Sequence, residues 1–99
     1  MTPNDGTVRE TLRRILHDGP ANARDLSRRA GIRERDVPGH LEHLARTLVR
    51  AGERLVVDPP TCLECGFVFR KRERLTRPGR CPLCQSTRTS LPVFSIEAR

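Results

Sequence analysis

Cys62 and Cys65, then Cys81 and Cys84, form two CxxC pairs separated by fifteen residues. Two tight turns that each offer two thiolates suit a tetrahedral metal with Zn–S distances of about 2.3 Å, and the spacing falls within that of zinc sites. Gly66, directly after the second Cys, allows the backbone to turn with positive φ. Gln85 holds the matching place in the second turn, a departure that removes no ligand. The expectation is one zinc ion held by Cys62, Cys65, Cys81 and Cys84. With all four positions filled by protein, none is left for water or substrate, so the metal is structural and not catalytic. Iron in a rubredoxin-like electron carrier suits the same four thiolates. Two disulfides and a reactive dithiol are the remaining readings, although a reactive pair needs one CxxC and not two.

Other residue types with chemical potential are less organised. His40 and His43 stand three apart, but no third ligand accompanies them, and two exposed histidines are expected. His17, Asp25 and Ser27 are hydrolase residue types that nothing in the sequence places together, and no enzyme is expected. The run Arg70-Lys71-Arg72-Glu73-Arg74, with Arg77 and Arg80, makes a basic loop between the metal turns. It suits phosphates or an acidic protein surface as well as plain solvation. With no aromatic interleaved, base stacking on single strands is not favoured.

The elements that position these groups must be small. In 99 residues, 35% hydrophobic and with three Phe as the only aromatics, there is no large core. Two units are expected, residues 1–60 and residues 61–99, and the second needs a metal to hold it. Charge is uneven: residues 1–60 carry eleven Arg and nine acidic side chains, residues 61–99 eight basic and three acidic. Four thiolates on one zinc ion leave the second unit at about +3, which suits a polyanion. No apolar stretch of signal-peptide type opens the sequence and no segment approaches membrane-spanning length. A cytoplasmic protein is expected, where thiols stay reduced and paired CxxC motifs read as a metal site before they read as disulfides.

Thr7-Val8-Arg9-Glu10 has the form of a capping box, followed by Val8, Leu12, Ile15 and Leu16 at helical spacing up to Gly19-Pro20. Asn22 is placed to cap a second helix carrying Ala23, Leu26 and Ala30 inward, with Gly31 just past its end. After Ile32, a third helix carries Val37, Leu41, Leu44 and Leu48 on one stripe up to Gly52. Pro38 belongs in its first turn, with Asp36 as the cap. Leu55-Val56-Val57 reads as a short strand, and Asp58-Pro59-Pro60 as a stiff linker and unit boundary. In the second unit, Phe67-Val68-Phe69 and Val93-Phe94-Ser95-Ile96 read as strands of a minimal ribbon sheet.

The order helix, helix, turn, helix, strand is that of a winged helix-turn-helix, giving an α+β chain with a β zinc ribbon behind it. Opposite its apolar stripe the third helix carries Gly39, His43, Arg46 and Arg50, with Arg33 and Arg35 at the turn before it. These are the candidate major-groove contacts. The segment Ala23-Arg-Asp-Leu-Ser-Arg-Arg-Ala-Gly-Ile, then His40-Leu-Glu-His-Leu-Ala-Arg and the two CxxC turns, resembles predicted archaeal-type transcriptional regulators in which a winged helix-turn-helix is fused to a zinc ribbon. The resemblance covers nearly the whole chain. It implies duplex DNA binding with the third helix as reader, Arg54 near the wing, and the four cysteines as the ribbon's ligands. At Arg33 and Pro38 this chain departs from the usual small polar cap and unbroken helix. An adaptor that binds RNA or docks the transcription machinery through the ribbon is the rival expectation.

Overall fold

Val8, Leu12, Ile15 and Leu16, the apolar residues at helical spacing, are all buried on helix α1, which runs Asp5–Asp18 in the computed structural model. The structure describes residues 5–70, 75 and 78–98. Thr7 is not the cap expected of it: the helix starts before it, and Thr7 already accepts from the Thr11 hydroxyl at 3.0 Å. Thr and Glu spaced three apart fit a helix interior at a cost of only tenths of a kcal/mol, so the motif does not fix a start.

Strand β1, Ala21–Asn22, leads directly into helix α2, Ala23–Ala30. The cap at Asn22 is reciprocal: its Oδ1 accepts from the Asp25 N–H at 2.9 Å, and Asp25 Oδ2 accepts from the Asn22 N–H at 3.5 Å. Gly31 closes the helix in the left-handed region at φ 69°. A 3₁₀ turn, Glu34–Asp36, then feeds helix α3, Val37–Arg50. Asp36 sits at the expected position but in right-handed helical geometry, with no side-chain cap bond. Pro38 needs no donor in the first turn of α3, and the 3₁₀ turn does the work of a cap by running straight into it.

The expected stripe Val37, Leu41, Leu44 and Leu48 is buried to 1% exposure or less. It packs with α1 and Leu26 into one core. Strand β2, Glu53–Asp58, is longer than the short strand expected, because it has a full-length partner in β3, Val93–Ala98. The two are antiparallel, with Leu55 opposite Ile96 and Val57 opposite Phe94. β1 pairs on the other side of β3, so the sheet order is β1-β3-β2.

The expectation that Val93 to Ile96 completes the ribbon's sheet is therefore corrected. Phe94 lies between Ala21 and Val57 in the register and is fully buried in the helical core. Burying such a side chain is worth about 1.5–3 kcal/mol, and among the described residues the ribbon has no apolar core of its own to receive it. The chain does leave the helical unit where β2 ends, but residues 59–92 form an insertion between two strands of one sheet. A further clasp ties α1 to β2, since Glu53 accepts from Arg13 at 2.7 Å and lies 3.2 Å from His17 Nε2.

Candidate metal centre and basic helix face

The two CxxC turns are built alike. In the first, the Gly66 N–H donates to the Cys62 carbonyl at 3.0 Å and the Cys62 N–H donates to the Phe67 carbonyl at 2.8 Å. In the second, Gln85 donates to Cys81 at 3.0 Å and Cys81 to Ser86 at 2.9 Å. The geometry asks for a left-handed residue after each second Cys, and Gly66 and Gln85 supply it at φ 81° and 65°. A side chain in that region costs about 1–2 kcal/mol, partly offset by the chain entropy that Gly loses. Gln85→Gly is therefore expected to stabilise the metal-bound ribbon by about 0.5–1 kcal/mol, read as slower metal transfer to a chelator.

Bridges Thr61 to Val68 and Cys62 to Thr89 stack the first turn on the returning chain. The Leu63 N–H donates to the Arg88 carbonyl at 2.9 Å, and Ser90 and Thr61 exchange backbone and hydroxyl bonds below it. This stem brings the four Sγ atoms within 4.8 Å of one another. Cys62 lies 3.5 Å from Cys84, and Cys65 lies 3.6 Å from Cys81, all four being free thiols. Four thiolates around an ion at about 2.3 Å stand about 3.8 Å apart, so the donor set fits a tetrahedral metal.

The site's electrostatics agree with that fit. The Cys65 backbone N–H, with help from that of Glu64, pulls the Cys62 thiol down to about 6. At Cys84 the Ser86 N–H favours the thiolate, but burial and the three neighbouring sulfurs outweigh it and push the thiol up to about 12. Cys65 is likewise raised, the Phe67 N–H being overcome by burial and Cys81. One thiolate forms readily and opposes the others, so full ionisation of the set needs a cation.

On α3 the buried stripe leaves His43, Arg46 and Arg50 exposed on the opposite face. Glu42, which sequence reasoning passed over, shares that face, and among the ion pairs of the described residues none joins it to Arg46 one turn later. Arg33 and Arg35 are exposed at the turn ahead of the helix. Arg54 is different: it stands opposite Glu97 in the strand register, and its Nε donates to the carboxylate at 2.7 Å. Finding that pair required knowing where β3 goes. His40 is half-buried beside exposed His43, and among the described residues no third ligand joins them. Of the basic loop, Arg70 and Arg80 are exposed, while Lys71, Arg72, Glu73, Arg74 and Arg77 lie outside the described residues.

His17, Asp25 and Ser27 are not brought together. His17 meets Glu53, Asp25 completes the α2 cap, and Ser27 donates to the Ile32 carbonyl. Among the described residues no helix is long and apolar enough to cross a membrane.

Residues 7–56, from α1 to the middle of β2, match the family described as PF0610-like, N-terminal. Over 100% of this chain and 96% of that one, the fold is similar to the solution NMR structure of protein PF0610 from Pyrococcus furiosus, with a TM-score of 0.81 and 27% sequence identity. No curated protein matches the chain.

Proposed function

The chain belongs to the PF0610-like, N-terminal family, and from that premise we propose that it is a DNA-binding transcriptional regulator, a winged helix-turn-helix with a structural zinc ribbon. One observation carries the reading: α3 buries its whole apolar stripe and turns His43, Arg46 and Arg50 outward, and among the described residues no carboxylate is ion-paired with them. An exposed basic helix preceded by a second helix and a tight turn is the geometry of a major-groove reader. Support also comes from the sheet order β1-β3-β2, in which β2 and β3 form the arms of a wing. The ribbon stands where a wing's tip would be. Arg33 and Arg35 at the entrance to α3 serve phosphates, and Arg54 contributes only by exchanging Glu97 for a phosphate.

Zinc is the metal proposed, one ion per chain, held by Cys62, Cys65, Cys81 and Cys84, because a closed four-thiolate tetrahedron has no open position for chemistry. The chain acts as a binding module in the cytoplasm, and duplex DNA is its partner. A second reading, docking to the transcription machinery through the ribbon, is favoured by Leu63 and Leu83, which stand 59% and 70% exposed at the tips of the two metal turns.

Arg46→Ala tests the reader directly. A groove-facing Arg paired with guanine is worth about 1–3 kcal/mol of discrimination, so the variant should bind a selected site about tenfold to a hundredfold more weakly and lose preference at one position. Arg72→Ala, in the basic loop, should instead weaken all sequences alike and lower the salt slope by about one. If Arg46→Ala keeps the parent's affinity and selectivity, α3 is not the reader and the docking reading moves ahead.

A further inference from the structure

A cavity of about 690 Å³ lies where the start of α2, the 3₁₀ turn before α3 and the end of the ribbon meet. Reading DNA makes no use of it. Its walls include Pro38 from α3 and Leu91 and Pro92 from the segment that returns to β3, so helical unit and ribbon both build it. Arg24, Arg33 and Arg35 line it, with Glu34 as the one acidic neighbour among the described residues. Among the described residues none of the three guanidiniums is ion-paired, Glu34 included. The volume lies within the range of small-molecule sites, roughly 300–1,000 Å³. Inorganic phosphate would leave most of it unfilled, and a plain hydrocarbon would leave the guanidiniums unused.

We infer that this cavity binds a small amphipathic organic anion, an alkyl or aryl carboxylate, and that occupancy weakens DNA binding. The apolar body lies against Pro38 and Leu91, and the carboxylate takes charge-assisted hydrogen bonds from the guanidiniums. The second half of the inference rests on the proposed function. Arg33 and Arg35 serve both the cavity and the approach to α3, and a guanidinium that holds a carboxylate is withdrawn from a DNA phosphate. A ligand need bind only the DNA-free form better for linkage to lower the affinity for DNA.

The test uses the full-length, metal-loaded protein with decanoate as the probe, decanol as its neutral counterpart and inorganic phosphate as the bare anion. Titration followed by backbone amide shifts should show saturable decanoate binding with shifts at residues 24, 33, 35 and 91. Decanol and phosphate should each bind at least about tenfold more weakly, since each lacks one half of the recognition. Leu91→Asp, which puts a carboxylate against the ligand's body, should abolish decanoate binding while keeping metal content and amide spectrum otherwise unchanged. Equal binding of decanol, or of phosphate, overturns the amphipathic site, as does undiminished binding by Leu91→Asp. Decanoate at saturation should weaken the protein's affinity for duplex DNA at least threefold, and unchanged affinity overturns the coupling. If the protein binds no duplex DNA at all, the proposed function and the coupling fail, while the decanoate titration still decides the site.

Discussion

Stripping the metal at pH 7, or replacing Cys81 by Ser, is expected to unfold residues 61–92 while the three helices persist. Among the described residues of the ribbon the buried side chains are two of the ligands, Cys62 and Cys81, with Thr89 and the prolines 60, 78 and 92 around them. That is too little apolar surface to hold a fold, whereas structural zinc in small modules contributes an apparent 10–16 kcal/mol, or thereabouts. The helical unit keeps its core but loses the ordered stem that joins β2 to β3. Closing a flexible loop in its place costs only about 0.6 kcal/mol for each doubling of its length, so its melting point should fall by several degrees and not collapse. Acid should act in the same direction as the chelator. Ionising the whole set means deprotonating Cys84, whose thiol is held up near 12 without a cation, so metal uptake releases protons and falling pH favours release of the ion. Elemental analysis, amide spectra and helical circular dichroism read the three effects. Less than about half a metal ion per chain in the purified protein, or complete loss of helical signal on chelation, contradicts this account.

Phe94→Ala is expected to do the opposite: unfold the helical unit and leave the metal bound. Truncating a fully buried Phe costs about 3–5 kcal/mol, which approaches the whole stability of a unit this small, at about 0.05–0.15 kcal/mol per residue. Phe94 is 0% exposed and touches the core at the point where β1, β3 and β2 meet. Phe69→Ala is the matched control, since that ring is half-buried in the ribbon and packs edge-on against Phe67 at 5.0 Å. Urea unfolding followed at the helical band measures both. A loss below about 1 kcal/mol for Phe94→Ala means that the last strand does not complete the helical core, and the ribbon would regain it.

What was legible in the sequence was local. The stripes on α1 and α3, the Asn22 cap with Gly31 behind α2, and the four-cysteine donor set all follow from spacings of a few residues, and each stands where it was expected. The destination of residues 93–98 was not legible, because a β-prone run specifies a strand and a face but not a partner. Its pairing with β2 is decided by where Phe94 can be buried. The pairing of Arg54, expected only as a residue near the wing, was hidden for the same reason, since Glu97 becomes its neighbour only once that register is known. The capping motif at Thr7 misled in a different way, while Asp36 does stand as the N-cap of α3 where it was expected but makes no side-chain cap bond. Residue types that suit a cap are also tolerated inside a helix, or at the end of a 3₁₀ turn, when the neighbouring turn is already hydrogen-bonded. Of the proposed DNA contacts, the structure leaves His43, Arg46 and Arg50 together on one exposed face and engages Arg54 elsewhere.

If α3 reads duplex DNA, bound sequences can be selected from a random duplex pool with the metal-loaded protein at fixed salt. The expected result is an enriched motif that includes a guanine, lost at that position in Arg46→Ala, with affinity that falls as salt rises. An unenriched pool, or binding to RNA as tight as to any selected duplex, would contradict it.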